Sequence, residues 1–392
     1  MSLAAAPEGG GTPSARAPLE RARTVCGLVR DEALASERLG RLTDKVADAL
    51  LQAKLFSVLV PPTAGGLGGT RLDLFHSVEA IAGADGSAGW CVSACNTVNH
   101  MAFEGLGAEG RHEVFGHGPV ACWTALAPRA VASRVAGGYR VSGHWTFGSG
   151  SSLSRWALVS GPPPDKVGPS LYRAYVVPKS DIEIIEGSWD VMGLRATASL
   201  DYAIADAFVP EHRSFLLPFA SEAPPEAVSV RDGGRLNLVG LTAFACGVGQ
   251  EALNALIAEA PGIKRMSAEA SLADDHRIQF GVGELDGRLR AARAHFTQLV
   301  ARQDERLAQG GLIDAEMGHQ FAQAAHTLTR AARDAALFAF DCAGASAVYA
   351  DHPLQRRLRD ILTGLKHASF TPAILGRIGK VRLGLEYGAR AF

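Results

Sequence analysis

The chain changes texture twice. Up to about residue 117, apolar positions recur at helical spacing, as at Leu42, Val46, Ala49 and Leu50. Asp73 predicts a cap for a helix over 74–82. Asp85-Gly86 opens a second helix carrying Trp90, Cys91, Val92, Cys95, Val98 and Ala102. Between them, 61–69 is a Pro- and Gly-rich loop. From Val120 to about Leu217 the period shortens to that of strands. Runs over 131–136 and 139–147 flank Gly137-Gly138 and predict a hairpin, and further runs cover 155–159, 171–177, 182–186 and 202–209. Such regular short strands predict a small barrel or sandwich. From about residue 235 the helical period returns over 236–259, 273–309, 314–343, 353–364 and 371–385, a bundle of four or five helices. The expected division is a disordered tail over 1–18, an N-terminal α-helical domain over 19–117, a central β domain over 118–220 and a C-terminal bundle over 221–392.

Composition removes several function classes. Lys+Arg number 39 against 40 Asp+Glu, which leaves no basic footprint for nucleic acid or an anionic membrane. No uninterrupted apolar run reaches the roughly 18–20 residues a membrane span needs. The six cysteines are scattered without ligand-like neighbours, which predicts reduced thiols, no metal site and a cytoplasmic protein. The loop at 65–69 lacks both the GxxxxGK[ST] pattern and a strand–GxGxxG–helix context, and so predicts no phosphate cradle.

Five segments, in order, resemble the acyl-CoA dehydrogenase fold. They are Trp123-Thr124-Ala125-Leu126-Ala127-Pro128, the run from Gly137 to Gly150, Met192-Gly193-Leu194-Arg195-Ala196-Thr197-Ala198-Ser199, Arg277-Ile278-Gln279-Phe280-Gly281, and Leu358-Arg359-Asp360. The resemblance covers about 25–385 and implies an N-terminal helical domain, a central β-barrel domain and a C-terminal bundle. Dehydrogenases of this fold commonly take a glutamate base from the late bundle. Here no Asp or Glu occurs between Asp360 and Glu386, and His367 stands in that region. The run from Arg359 to His367, Gly86-Ser87-Ala88-Gly89-Trp90 and Cys342-Ala343-Gly344-Ala345-Ser346 are more similar to the two-component flavin-dependent monooxygenases. The oxygenase component of 4-hydroxyphenylacetate hydroxylase is one of these. That resemblance implies reduced flavin (FMNH2 or FADH2) and O2 as cofactors, a C4a-hydroperoxyflavin, a small aromatic substrate and a separate NAD(P)H:flavin reductase. It also implies a homotetramer. An acyl-CoA dehydrogenase-like desaturase, an amino-sugar N-hydroxylase and a catalytically silent scaffold remain alternatives.

The resemblance names site residues, each with a bland alternative. His100 shares a polar stripe with Ser93, Asn96 and Thr97 and is expected to orient or deprotonate a phenol; the alternative is a solvated helix face. His367 is expected on a helix face with Asp360, Thr363 and Gly364, donating a hydrogen bond beside the flavin; the alternative is a C-terminal cap. Ser149 has the parity of Tyr139, Val141, Trp145 and Phe147, which turns its hydroxyl inward toward a flavin edge if extension persists; the alternative is a turn serine. His144, of opposite parity, is expected at the surface. Trp123, Thr124, Arg277, Phe280, Gly344 and Ser346 are implied flavin contacts, Arg277 and Phe280 across a subunit interface. Helix 236–259, with Leu238, Leu241, Phe244, Ala245 and Val248, is expected to help cover that interface.

Overall fold

A computed structural model describes residues 17–116, 122–124, 129–164, 171–218, 233–264 and 270–385. Nearly all of the expected tail, 1–16, lies outside the described residues. The chain begins with α1 (Pro18–Asp31), α2 (Ala33–Leu39), α3 (Asp44–Gln52), α4 (Arg71–Ala84), α5 (Gly86–Gly105) and α6 (Ala108–Phe115). Thr70, rather than Asp73, caps α4. Its hydroxyl accepts from the Asp73 amide, and the Asp73 carboxylate accepts from the Thr70 amide. This reciprocal box moves the helix start three residues ahead of the expected position. Asp85 caps α5 as the sequence suggests, accepting from the Ala88 amide at 2.8 Å.

Eight strands follow: β1 (Cys122–Thr124), β2 (Val131–Val135), β3 (Gly138–Gly148), β4 (Trp156–Gly161), β5 (Leu171–Pro178), β6 (Glu183–Ile185), β7 (Leu200–Pro210) and β8 (Ser214–Pro218). The β2–β3 hairpin pairs Val135 with Gly138 across a turn in which Gly137 takes φ +79°. The strands form two four-stranded sheets, ordered β1-β4-β5-β8 and β2-β3-β7-β6, with no closure into a barrel among the described residues. Period-2 alternation explains why the two sheets stack. Ala157, Val159, Tyr175 and Val177 turn one face of β4 and β5 toward Tyr139, Val141, Trp145 and Tyr202 of the other sheet. Leu158, Ala174 and Val176 turn the opposite face toward Val98, Met101 and Phe115 of α5 and α6. The first sheet is thus buried on both sides.

The last region holds α7 (Gly233–Glu259), α8 (His276–Ala308), α9 (Ala315–Ala343), α10 (Pro353–Gly364) and α11 (Ala373–Arg382). By length and composition α7 is apolar enough to cross a membrane, but here it is the central helix, packed by α4, α5, α9 and α10. Its Leu238, Leu241, Phe244, Ala245 and Val248 are buried within this one chain. They do not form the subunit face expected of them, because four neighbouring helices already cover them.

Candidate functional site

The three regions meet at Trp90. Its indole, on α5, stands edge-on to Phe244 of α7, with ring centroids 5.2 Å apart, and 6.1 Å from the ring of His367. Gly364 closes α10 against this pair. A Cβ there would lie 2.5 Å from Phe244 and 3.0 Å from Trp90, so no larger residue fits without movement. Three hydroxyls on the same helices, Ser93 on α5, Thr242 on α7 and Thr363 on α10, are buried without a hydrogen-bond partner among the described residues. Such unpaired buried hydroxyls are costly.

A chain of hydrogen bonds runs from Trp90 into the β region. Trp90 Nε1–H donates to Ser149 Oγ at 3.1 Å. Ser149 Oγ lies 2.7 Å from Ser199 Oγ, which lies 2.6 Å from Thr197 Oγ1. Thr197 Oγ1 donates to the Leu194 carbonyl at 2.8 Å. Backbone contacts fasten the two loops: Gly150 N donates to Thr197 O, and Ser151 Oγ donates to Ala198 O. Phe147, Leu194 and Ala198, none of them glycine, take φ of +67°, +55° and +45°. Strain concentrated within two facing loops is expected where geometry serves a function.

Ser149 does reach this junction, but not by the expected parity. At Phe147 the left-handed φ and a register shift between Trp145 and Gly148 break the alternation. Phe147 turns outward, 66% exposed, and meets Trp189 edge-on. Ser149 instead faces inward from the turn that follows. His144 is exposed, as expected.

Asp360 holds the loop over 193–199 in place. Its Oδ1 accepts from the Leu194 amide at 2.6 Å, and Gly193 packs so closely on α10 that a Cβ would meet the Arg359 carbonyl at 2.2 Å. Burial, reinforced by the Asp85 carboxylate, pushes Asp360 above the usual carboxylate range. Arg356 lies 3.8 Å from Asp85 and offsets part of that cost.

His367 is not on a helix face. α10 ends at Gly364, and His367 caps the short turn Ala368–Phe370, its Nδ1 accepting from the Ser369 amide at 3.1 Å. Burial pushes its pKa down. The ring is therefore a neutral imidazole, with its proton assigned to Nε2 by the hydrogen bond Nδ1 accepts.

His100 lies ten residues beyond Trp90 on α5, about 15 Å along the helix axis. Burial, with the positive Arg71 nearby, lowers its pKa to about 4. Its stripe is not a solvated face. Asn96 is consumed by the backbone of the preceding segment, accepting from Val58 N and donating to Leu55 O. Thr97 Oγ1 donates to Ser93 O.

The remaining expected residues are not brought to Trp90 by any contact among the described residues. Arg277 stands 79% exposed at the start of α8, paired with Asp275, and Phe280 is 66% exposed. Gly344 (φ +73°) and Ser346 are exposed at the end of α9. Trp123 and Thr124 pair by backbone with Ala157 and Leu158, and only that backbone is described. Sequence reasoning missed Trp90 Nε1, Thr197, Ser199 and Asp360 as parts of one site. Two resembling segments, 86–90 and 192–199, held the signal, but nothing in sequence separation shows that they touch.

Comparison with known proteins finds relatives of the same fold. Residues 239–372 match the family described as acyl-CoA dehydrogenase, C-terminal domain. The chain is 28% identical to the pigment production hydroxylase of Rhodococcus erythropolis, over 92% of this chain and 96% of that protein. It is also 28% identical to the oxygenase component of the FADH(2)-dependent resorcinol hydroxylase of a Rhizobium species, over 93% and 94% of the two chains. Among solved structures, the 3-HSA hydroxylase from Rhodococcus sp. RHA1 superposes with a TM-score of 0.86 at 25% identity, covering 95% of this chain and 98% of that one.

Proposed function

We infer the chemistry and the residue roles from one premise: the chain belongs, as an oxygenase subunit, to the two-component flavin-dependent monooxygenases built on the acyl-CoA dehydrogenase fold. It hydroxylates a small aromatic substrate with O2 and reduced flavin, FMNH2 or FADH2. Reduced flavin, when bound, supplies the two electrons that split O2, so that one oxygen atom enters the substrate and the other leaves as water. The residues at the junction fit such a group. Ser149, bonded to the Trp90 indole, and His367, whose ring stands 6.1 Å from it, offer polar atoms to such a group.

His367 carries the reading. Desaturation of a thioester calls for a carboxylate base, whereas this junction holds a neutral imidazole N–H and no carboxylate follows Asp360 until Glu386. With flavin bound, His367 would donate a hydrogen bond from Nε2 to an oxygen atom beside it. The preorganised turn over 368–370 keeps that donor aimed at no further reorganisation cost. His100, with a conjugate acid near pKa 4, is too weak a base to ionise a phenol of pKa about 10. It orients the substrate hydroxyl by a hydrogen bond. Arg277 and Phe280 would serve the flavin of a neighbouring subunit, and Trp123, Thr124, Gly344 and Ser346 would be further flavin contacts.

The partner supplying reduced flavin is a separate NAD(P)H:flavin reductase, in keeping with the naming of the resorcinol hydroxylase relative as an oxygenase component. A homotetramer, or at least a dimer, would cover Phe280, Leu337, Val348 and Tyr349, which are between 43% and 68% exposed on α8, α9 and the turn after it. The expected domain limits at 117 and 220, and a cytoplasmic setting, complete the reading. With externally supplied reduced FMN or FAD, the protein should consume O2 in step with hydroxylation of a small phenol. Robust acyl-CoA-dependent reduction of an electron-accepting dye would overturn this.

A further inference from the structure

The hydroxyl chain beside Trp90 has a direction that counting protons reveals. Three close oxygen–oxygen gaps follow one another: Ser149 to Ser199 at 2.7 Å, Ser199 to Thr197 at 2.6 Å, and Thr197 to the Leu194 carbonyl at 2.8 Å. Each gap needs one proton, and the three hydroxyls supply three. The carbonyl can only accept, so the Thr197 proton must point to it. Ser199 must then donate to Thr197, and Ser149 to Ser199. In the reverse direction the gap at Leu194 would hold two facing oxygens and no proton. Trp90 Nε1–H occupies one Ser149 lone pair. What Ser149 has left for a ligand is its other lone pair, and not a proton.

A flavin ring held with its N5 against Ser149 would answer to that difference. N5 only accepts a hydrogen bond in oxidised flavin and becomes an N–H donor on reduction. We propose that Thr197, two hydroxyls away from the ligand, is a positioning residue that sets the Ser149 hydroxyl as an acceptor and so makes the site select reduced over oxidised flavin. The inference rests on the flavin reading above. Its functional consequence is directional exchange with a reductase. Reduced flavin is retained, and oxidised flavin, facing an acceptor with an acceptor, is released.

The variants follow from the proton count. Thr197→Val removes the terminal link, frees Ser199 to turn, and lets Ser149 donate to an oxidised ring. Thr197→Ser keeps the link. Ser149→Ala removes the discriminating oxygen. The readout is the ratio of the dissociation constants for oxidised and reduced FMN or FAD, measured anaerobically by ultrafiltration. The wild type and Thr197→Ser should share a ratio favouring the reduced form. Thr197→Val and Ser149→Ala should lower it roughly tenfold, the scale of one hydrogen bond. A merely structural role for Thr197 would weaken both forms alike and leave the ratio unchanged. An unchanged ratio in Thr197→Val overturns the inference while the flavin reading stands. Failure of the wild type to bind either form overturns both.

Discussion

Glu79, on α4, makes a sharp energetic test of how the helices around the site are held. Its two oxygens accept from Arg293 Nε and Nη2 of α8 at 2.5 and 2.6 Å, and the Cys246 thiol of α7 donates to it at 3.2 Å. Burial alone would raise its pKa. The bidentate Arg293 fork, with His76 beside it, outweighs burial and brings the pKa down to about 2 from an ordinary 4.5. A carboxylate with a depressed folded-state pKa adds stability that is complete above about pH 4.5 and is lost as pH falls through about 2. The difference corresponds to about 3 kcal/mol at neutral pH. Glu79→Gln should forfeit most of it, since it leaves Arg293 facing a neutral amide. For a chain of this length that lowers Tm by roughly 4 °C. The assay is thermal unfolding of wild type and Glu79→Gln at pH 7, 5.5, 4.5 and 3.5. The gap should hold between pH 7 and 4.5 and begin to close below. A gap under about 1 °C at pH 7, or one that widens in acid, would refute the reasoning.

Further outcomes follow from the same geometry. His367→Ala should divert reduced flavin to H2O2 and cut hydroxylated product per O2 consumed, by up to about 10²–10³-fold if one preorganised donor is lost. His100→Ala should instead slow product formation and leave flavin affinity near wild type; if both variants couple O2 to product normally, neither histidine acts at the site. Asp360→Asn keeps an acceptor for the Leu194 amide but removes a buried charge. Because the folded-state pKa of Asp360 is raised, the wild type loses stability as pH rises above its ordinary carboxylate value, and Asp360→Asn should flatten that slope in unfolding curves. Gly364→Ala forces a Cβ against Phe244 and Trp90 and should cost about 1–3 kcal/mol and weaken flavin binding; wild-type affinity would contradict that packing.

The helices and strands were legible because burial imposes their periods. Helix Pro353–Gly364 falls where its apolar spacing and N-terminal proline place it, and the β2–β3 hairpin falls at Gly137-Gly138. The sheet arrangement was less so, since alternation along a strand shows which residues turn inward but not whether a sheet closes. The same limit applies at Phe147, where one left-handed residue cancels the parity of everything beyond it. His367 was singled out by the missing carboxylate around it, and its placement on a helix face failed because the helix stops at Gly364. The Trp90–Ser149–Ser199–Thr197 chain joins residues up to 109 positions apart, and no local pattern in the chain encodes that meeting.

The most direct measurement is isotopic. The protein, supplied with reduced flavin and a panel of small phenols under 18O2, should yield a hydroxylated product carrying one 18O atom, seen as a 2 Da shift by mass spectrometry, while the second atom goes to water. A product whose new oxygen comes from solvent water, or turnover of an acyl-CoA thioester with no oxygen incorporated, would contradict the account.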